Sequence, residues 1–559
     1  MRDALQLVGH LARLSRGIPR AAWRIAAALA LCILSGTFFS LLVATIGAAI
    51  TQGLDRALLL RFLALCVATP CARLASQLLF DAIGTRAIAD LRLDLCRRLL
   101  AAPLSRLEEL GPRRLLAALG DDVAVVAAAA SLLPTLAMQV GVAAGLLAYM
   151  AWLSPRWFLL VVGGLALGLG VMRLPGLLAS RYQARASRET ETLSARLRDL
   201  IEGAKELALH REGRRAFLDR ELVPAGEALQ RSTFLGAAAS TAANAWHNVL
   251  FFALPAMVLF GAGWSGAGLP VLAGYALALL YLRTPTGTLL EAAPALARGN
   301  AAAAALERLA SELSAGGGEP EGSQEEGFRE TWKRLELRAV THTYGGRDDG
   351  DRFALGPVSL QLAPGEIVFV VGGNGSGKTT LAKVLTGLYP PGDGQILLDD
   401  VAIRAEDRDG YRQMFSAVFA DSYPFETLAR PGADGAGRAL ARFLKRLRLE
   451  GKVDVGSARV SARDLAPGER RRLALVSARL EDRPICIFDE WAAGQDPSAR
   501  QVFYLELLPE MKARGKAVVV ISNDDAYYPV ADRLIRLTQG QIEWERRPPA
   551  GPLGASGPA

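Results

Sequence analysis

Apolar residues dominate the first half of the chain and give way to an ordinary mixture in the second. The stretches Ile25–Leu54, Val123–Pro155 and Ser232–Leu282 contain no Asp, Glu, Lys or Arg. A helix that spans a membrane needs about 20 consecutive apolar residues. After Leu313 the apolar stretches stop, so the pattern predicts a membrane domain followed by a separate domain.

The lengths of the apolar stretches predict six membrane spans. A glycine-rich break from Gly261 to Pro270 separates the last two spans. The long connections 84–122 and 178–231 hold the arginines and keep helical apolar spacing, so we expect cytoplasmic helices that continue the spans. This topology puts Met1 in the cytoplasm. The predicted spans are residues 22–50, 58–82, 123–153, 157–177, 236–262 and 268–291.

Several polar residues lie inside the predicted spans, where a lipid-facing position is costly. Two interpretations stay open: hydrogen bonding between helices or snorkelling, and lining of a cargo path. The second applies best to His247, Asn244 and Arg283 on the last two spans. The residues concerned are Arg73, Gln77, Gln139, Arg173, Asn244, His247, Asn248 and Arg283.

The net charge of +8 does not indicate a nucleic-acid partner, because arginines cluster beside the apolar stretches. A glycine-rich acidic segment from Ala315 to Gly327 predicts a flexible linker. The predicted organisation is a membrane domain at 1–312, a linker at 313–330, a second domain at 331–545 and a disordered tail at 546–559.

The second domain carries a glycine-rich loop between a strand and a helix. Buried-strand residues Ile367–Val371 precede the sequence GGNGSGKTT, and helical residues follow. In such loops, backbone N–H groups and the positive helix end surround phosphate oxygens. We expect Lys378 to bridge the outer phosphates of ATP and the Thr379 hydroxyl to bind Mg²⁺. The predicted nucleotide ligands here are Gly372, Asn374, Gly375, Ser376, Gly377, Lys378, Thr379 and Thr380.

A second apolar strand ends in two acidic residues, Asp489 and Glu490. This pattern suits an Asp489 that orients Mg²⁺ and a catalytic Glu490 that polarises the attacking water. An isolated strand end of this kind is usually only polar surface. Beside the glycine-rich loop it predicts an ATP-hydrolysing site.

With these motifs the chain resembles the ATP-binding cassette superfamily over nearly its whole length. Tyr344 stands where the superfamily places an aromatic residue that stacks on adenine. The sequence LAPGE at 465–469 stands where the superfamily places its signature segment, and the resemblance makes Ala466 and Gly468 of this segment nucleotide contacts. Asp496 stands where the acid of the inter-subunit loop lies. The resemblance implies a half-transporter that forms a homodimer. In this dimer the signature segment of each subunit completes the ATP site of the other.

Residues FDEWAA at 488–493, above all Trp491, resemble the cyclic-peptide export group, which includes exporters of pyoverdine precursor and of syringomycin. The segments 107–111 and 202–207 are similar to its intracellular loops, which transmit cassette closure. The resemblance implies six exporter-type transmembrane helices fused to an α/β P-loop domain, in the bacterial inner membrane. It also implies a peptide or siderophore-precursor cargo, exported by alternating access.

Three other functions remain open. The chain could be the weak ATPase subunit of a heterodimer, a siderophore importer with an exporter fold, or a membrane regulator that senses nucleotide. Direction of transport is not encoded in the motifs.

Three positions depart from the superfamily pattern. Ala420 replaces the glutamine of the metal-sensing loop, with Asp421 beside it as a substitute metal ligand. Ala466 replaces the signature serine, and Asn523 replaces the catalytic switch histidine. Losing one preorganised donor costs on the order of 10²–10³ in rate. Since Lys378 and the two acids remain, we expect slow hydrolysis.

Overall fold

The structure, a computed structural model, divides into two compact units. The first comprises Met1–Cys96 and Arg113–Ser311, and the second comprises Arg97–Pro112 and Glu312–Ala559. The residues described are 6, 9, 21–52, 55–265, 268–315, 331–343, 353–423, 436–451, 453–454, 459–460 and 465–548.

Six long helices correspond to the six predicted spans, and several continue far beyond membrane thickness. Among the described residues, five stretches are long and apolar enough to cross a membrane: Ala27–Ile50, Arg56–Ala101, Pro112–Leu153, Pro155–Glu202 and Arg211–Phe260. All of the sixth predicted span except residue 268 lies in the first half of α10, Leu269–Ala315. The helices are α1 Ala21–Gln52, α2 Arg56–Ala101, α3 Leu104–Leu110, α4 Pro112–Ala117, α5 Val123–Leu153, α6 Pro155–Glu202, α7 Ala204–Leu209, α8 Arg211–Phe217, α9 Val223–Ser265 and α10 Leu269–Ala315, with π turns at Ala118–Asp122 and Leu218–Leu222.

Small residues let helices of the first unit approach closely, as is typical of membrane proteins. A Cβ atom on Gly36 of α1 would lie 2.6 Å from the Met138 carbonyl oxygen of α5. The Ser40 hydroxyl donates to the Val142 carbonyl at 3.1 Å. These contacts hold α1 against α5 without a bulky apolar interface.

The second unit contains a six-stranded sheet with the order β12-β11-β3-β10-β9-β6 and a four-stranded sheet with the order β2-β1-β4-β5. In the larger sheet, β3 is parallel to β10 and β11, and β9 is parallel to β10 and β6. The strands are β1 Leu335–Thr343, β2 Ala354–Leu362, β3 Ile367–Val371, β4 Asp393–Leu398, β5 Val401–Ala402, β6 Phe415–Val418, β7 Val453–Asp454, β8 Arg459–Val460, β9 Ile485–Asp489, β10 Ala517–Ile521, β11 Arg533–Thr538 and β12 Gln541–Arg546.

An apolar core lies on each face of the larger sheet, so its central strands are buried on both faces. In β3, Ile367 and Phe369 pack into one apolar core, whereas Val368 and Val370 pack into the other. This period of two explains why the strand is an unbroken apolar run. The helices of this unit are α11 Lys378–Leu385, α12 Arg408–Arg412, α13 Ala436–Arg446, α14 Pro467–Glu481, α15 Pro497–Gln501 and α16 Leu508–Ala513, with a π turn at Val502–Leu507 and a 3₁₀ turn at Asp525–Val530.

Element boundaries differ slightly from the sequence-based ones. Helix α10 runs to Ala315, three residues into the segment assigned to the linker, and residues 316–330 lie outside the described part. Strand β12 includes Arg546, which pairs with Leu534, so the sheet takes in the first residue assigned to the tail. Residues 97–112 belong to the second unit, although the sequence assigns them to the membrane domain.

Candidate functional site

The glycine-rich loop connects the end of β3 to the start of α11, at the carboxyl edge of the parallel sheet. Gly377 has a φ of +99°, and a Cβ there would lie 2.7 Å from the Phe353 ring. Gly372, with a φ of +156°, would place a Cβ 2.4 Å from the Leu537 carbonyl oxygen. Only glycine fits these two positions, because both the backbone angle and the space exclude a side chain.

The ammonium group of Lys378 lies inside this loop. It donates to the carbonyl oxygens of Gly372 and Gly373, both at 2.9 Å, and the side chain is buried. Asn374 and Gly375 form the exposed tip of the loop. Thr380 is buried in the first turn of α11. The loop is therefore preformed around a positive charge that can face phosphate oxygens.

Asp489 ends β9 directly beside the start of α11. The Thr379 hydroxyl donates to Asp489 Oδ2 at 2.7 Å. Burial raises the pKa of Asp489, the Thr379 hydrogen bond lowers it, and the negative charges of Glu490 and Asp421 raise it. A cation bound here would stabilise the ionised carboxylate.

Two buried acceptors at this point lack a partner. Asp489 Oδ1 and Ser376 Oγ are buried without any hydrogen bond among the described residues. Buried polar atoms are almost always paired, so these two atoms fit a bound group. Thr379 and Asp489 supply the oxygen ligands that Mg²⁺ prefers, and Mg²⁺ usually combines one or two such ligands with substrate phosphates and water. The described residues contain no group of three His, Cys, Asp or Glu that could hold a metal alone.

Glu490 follows Asp489 in a strained conformation. Its φ is +50°, which is uncommon for a residue with a side chain, and its N–H donates to the Ile521 carbonyl at 3.0 Å. The hydrogen bond ties this turn to β10 and holds the strained backbone in place. Such strain concentrates at functional sites. Sequence reasoning did not predict this strain.

Asn523 lies just after β10 and is exposed. Its neighbour Ser522 is buried and shares a hydrogen bond of 2.7 Å with the Tyr504 hydroxyl. Tyr504 also donates to Asp524 at 3.1 Å and stacks on Tyr527, with ring centroids 4.2 Å apart. This network fixes the backbone on both sides of Asn523, and sequence reasoning missed it.

The signature residues begin α14. Glu469 accepts from the Ala466 N–H at 2.8 Å, so the carboxylate caps the helix and occupies that donor. Pro467 has no N–H to offer. Ala466 and Pro467 therefore offer no free backbone N–H at the start of this helix.

Trp491 links this helix to the segment after Glu490. Its indole N–H donates to the Arg471 carbonyl at 2.8 Å, and its ring stacks on Phe503 with centroids 4.4 Å apart. Gln495 donates to the Gly468 carbonyl at 3.0 Å. The residue that singles out the subfamily in the sequence therefore has a structural role, which is to hold the signature helix against the catalytic segment.

Asp496 caps α15 by accepting from the Ala499 N–H at 2.9 Å, and the Ser498 hydroxyl also donates to it. The Ser498 and Ala499 hydrogen bonds lower the pKa of Asp496. The hydrogen bonds of Ala466, Gly468 and Asp496 reach no residue of the glycine-rich loop. The structure thus separates the predicted ligands into two groups, whereas Tyr344 lies outside the described residues.

A contact that the sequence did not reveal joins α3 to the cassette within the second unit. Glu108 accepts from Lys383 Nζ at 2.7 Å and from the Tyr389 hydroxyl. Lys383 lies in the last turn of α11, whose first turn carries Lys378. Leu104 packs beside the apolar core that covers this face of the sheet. Helix α3, from the segment between two membrane helices, therefore contacts the same short helix that begins at the loop.

Comparison with known proteins finds matches for both halves of the chain. The family described as ABC transporter matches residues 355–493, and the ABC transporter transmembrane region matches residues 24–280. The chain is 34% identical over 478 residues to the ATP-binding protein SyrD of Pseudomonas syringae pv. syringae, covering 83% of this chain and 84% of SyrD. It is 27% identical over 494 residues to the ATP-dependent lipid A-core flippase of Thiobacillus denitrificans, a match that covers 82% of this chain and 80% of the flippase.

The fold matches the structure of a bacterial Atm1-family ABC exporter with ATP bound, with a TM-score of 0.71 over 95% of both chains at 18% identity. This likeness shows the same fold. Together with the two matched families and the match to SyrD, it confirms the predicted exporter-type membrane domain fused to an ABC ATPase domain, whose ATPase is coupled to transport across a membrane. From its sequence relatives and its two matched domains, the chain belongs to the ABC transporter family.

Proposed function

We propose that the chain is a half-transporter that pairs with a second copy of itself and exports a cyclic or non-ribosomal peptide, or a siderophore precursor, across the bacterial inner membrane. The observation that carries this proposal is the preformed loop around Lys378 beside the unpartnered Asp489 oxygen, in a chain whose described residues include five helices long and apolar enough to cross a membrane. The extent of the match to SyrD supports an exporter of the same kind.

The residues have distinct roles in this proposal. The loop amides and Lys378 bind the phosphates of ATP, and Thr379 with Asp489 binds Mg²⁺, which neutralises phosphate charge. Asp421, close enough to influence Asp489, is a further metal ligand directly or through water. Glu490 polarises the attacking water, and Asn523 donates to the terminal phosphate. Tyr344 stacks on adenine.

Ala466, Gly468 and Asp496 act on the nucleotide of the partner subunit. Their hydrogen bonds stay apart from the loop of their own chain, which supports a site completed by a second copy. Closure of the two cassettes reaches the membrane helices through α3, because Glu108 is paired with Lys383 on α11. Segment 202–207 serves as the second such loop.

Two observations favour other candidates. The match to the lipid A-core flippase also covers about four fifths of both chains, which supports a lipid cargo. The depleted signature supports the role of weak ATPase subunit in a heterodimer, because Ala466 and Pro467 both lack a phosphate donor.

Proteoliposomes that contain only this chain test the proposal. We expect ATP-dependent accumulation of a fluorescent acylated cyclic peptide, lost in Glu490→Gln and kept in Glu450→Gln, a change at an exposed surface glutamate. Accumulation of fluorescent lipid A instead would favour the flippase. Activity only after a second, different subunit is added would favour the heterodimer.

A further inference from the structure

A polar cluster joins α9 and α10 within the predicted membrane spans. Arg283 Nε donates to Asn248 Oδ1 at 2.9 Å. His247 Nε2 lies 2.9 Å from the Thr286 hydroxyl, and only 6% of His247 is exposed. The buried His247–Thr286 pair fixes the register of the two helices, so that Asn248 meets Arg283.

The charge of Arg283 has no counter-ion in this arrangement. Among the residues described, no carboxylate oxygen lies within 4.0 Å of its guanidinium, and Asn248 is its hydrogen-bond partner. Asn248 uses one of the five N–H donors that a guanidinium carries. Arg283 is exposed on the surface of the chain. Donors therefore remain for a further group.

The guanidinium does not reach out of the span. Its Cζ lies 5.8 Å from the centroid of the Phe252 ring. Phe252 is one helical turn nearer than Asn248 to the break between α9 and α10. A snorkelling side chain would extend the other way, toward residue 291, because that end of the predicted span is nearer to Arg283. Arg283 instead keeps its charge within the span, which is costly against lipid and implies an aqueous or cargo-filled surface.

The cluster adjoins further polar positions on α10. Thr284, Thr288 and Glu291 lie at spacings of i, i+4 and i+7, which puts them on one face of α10, about 100° around the helix axis from Arg283, and Thr284 and Glu291 are exposed. This stripe gives one face of α10 a polar character inside an otherwise apolar span. Such a face suits contact with a polar solute rather than with acyl chains.

We propose that Arg283, oriented by Asn248, forms a subsite for an oxyanion group, carboxylate or phosphate, of the transported molecule. Arginine pairs with such groups through parallel hydrogen bonds that a neutral amide cannot replace. The inference rests on the proposed transport function and adds the chemical class of the cargo. It selects acidic molecules over neutral ones of the same shape.

Binding of defined probes to the purified chain in detergent, without ATP, tests the subsite. One pair of probes is an acylated hexapeptide with two Asp residues and its Asn counterpart. The other pair is diphosphorylated lipid A and its dephosphorylated form. We expect Arg283→Gln to weaken binding of an acidic probe about ten- to a hundredfold, with no effect on its neutral counterpart. The pair that responds identifies the source of the oxyanion.

Matched variants make the result decisive. Arg283→Lys keeps the charge and should retain part of the preference, whereas Arg298→Gln removes an exposed arginine further along the same helix and should change nothing. Wild-type protein that binds acidic and neutral probes equally, or Arg283→Gln that weakens both equally, overturns the subsite. A wrong transport function would be detected in a separate experiment, because proteoliposomes would then show ATP-dependent transport of neither peptide nor lipid.

Discussion

The predicted nucleotide-binding residues of this chain fall into two groups, and the two groups differ in the donors that they offer. At the glycine-rich loop, Lys378 donates to two loop carbonyls and Thr379 donates to Asp489. At the signature, Ala466 has no hydroxyl, its N–H is occupied by Glu469, and the next residue is a proline. The comparison indicates that nucleotide binding and completion of a partner's site are separable properties, and that the loop keeps more of the expected donors than the signature does.

The largest expected effect tests the glycine-rich loop. Lys378→Ala removes a buried ammonium that faces the phosphates, and a hydrogen bond to a charged group is worth about 1.5–3 kcal/mol. We expect ATP affinity to fall by about ten- to a hundredfold, measured with a fluorescent ATP analogue. Lys445→Ala, at an exposed lysine of α13, is the control and should bind normally. Unchanged affinity in Lys378→Ala would contradict the role given to the loop.

The next effect concerns Asn523, the exposed residue just after β10. Asn523→His supplies a donor that can also carry positive charge, so we expect ATP turnover to rise by about tenfold. This increase is smaller than the change in rate of about 10²–10³ that one preorganised donor typically contributes. Asn523→Ala should lower turnover. Steady-state phosphate release measures both variants. A slower Asn523→His enzyme would show that the network around Tyr504 holds this position in a geometry that suits only asparagine.

Charge reversal tests the contact between α3 and α11. Glu108 is partly exposed, so the Glu108–Lys383 pair is worth about 1 kcal/mol. We expect Glu108→Lys or Lys383→Glu to raise amide hydrogen exchange of residues 104–110 by about fivefold, and the double variant to restore protection.

Glu109→Lys is the matched control, because Glu109 pairs with Arg106 of the same helix. Restoration that fails in the double variant would mean that Tyr389 or apolar packing at Leu104 holds the helix instead.

The smallest effect tests the signature segment directly. Ala466→Ser restores one hydroxyl at the signature, and a neutral hydrogen bond contributes at the low end about 0.5–1 kcal/mol, so turnover should rise about threefold. Ala513→Ser, at an exposed alanine, should leave turnover unchanged. If Ala466→Ser has no effect, either the backbone capped by Glu469 keeps the hydroxyl away from phosphate, or this signature faces no nucleotide.

The sequence predicted the parts of the fold that depend on adjacent residues. The strand–loop–helix order around Lys378, the buried strand that ends at Asp489 and the six spans all follow from local periodicity and loop chemistry. The family match confirms the fold that they predicted.

Contacts between distant residues could not be predicted in the same way. Glu108 lies 275 positions before Lys383, and nothing in either segment indicates that they meet. The link from Trp491 to Arg471 and the positive φ of Glu490 likewise depend on how β9, β10 and α14 pack. Assignment of single residues to nucleotide, metal and cargo remains a prediction.

The most direct test of the account is ATP hydrolysis by the purified chain alone, compared with Glu490→Gln. The account predicts slow but measurable hydrolysis by the wild-type chain, since Lys378, Asp489 and Glu490 are in place, and a drop to background in Glu490→Gln. Equal rates for the two proteins would contradict the account, because Glu490 would then have no part in ATP hydrolysis.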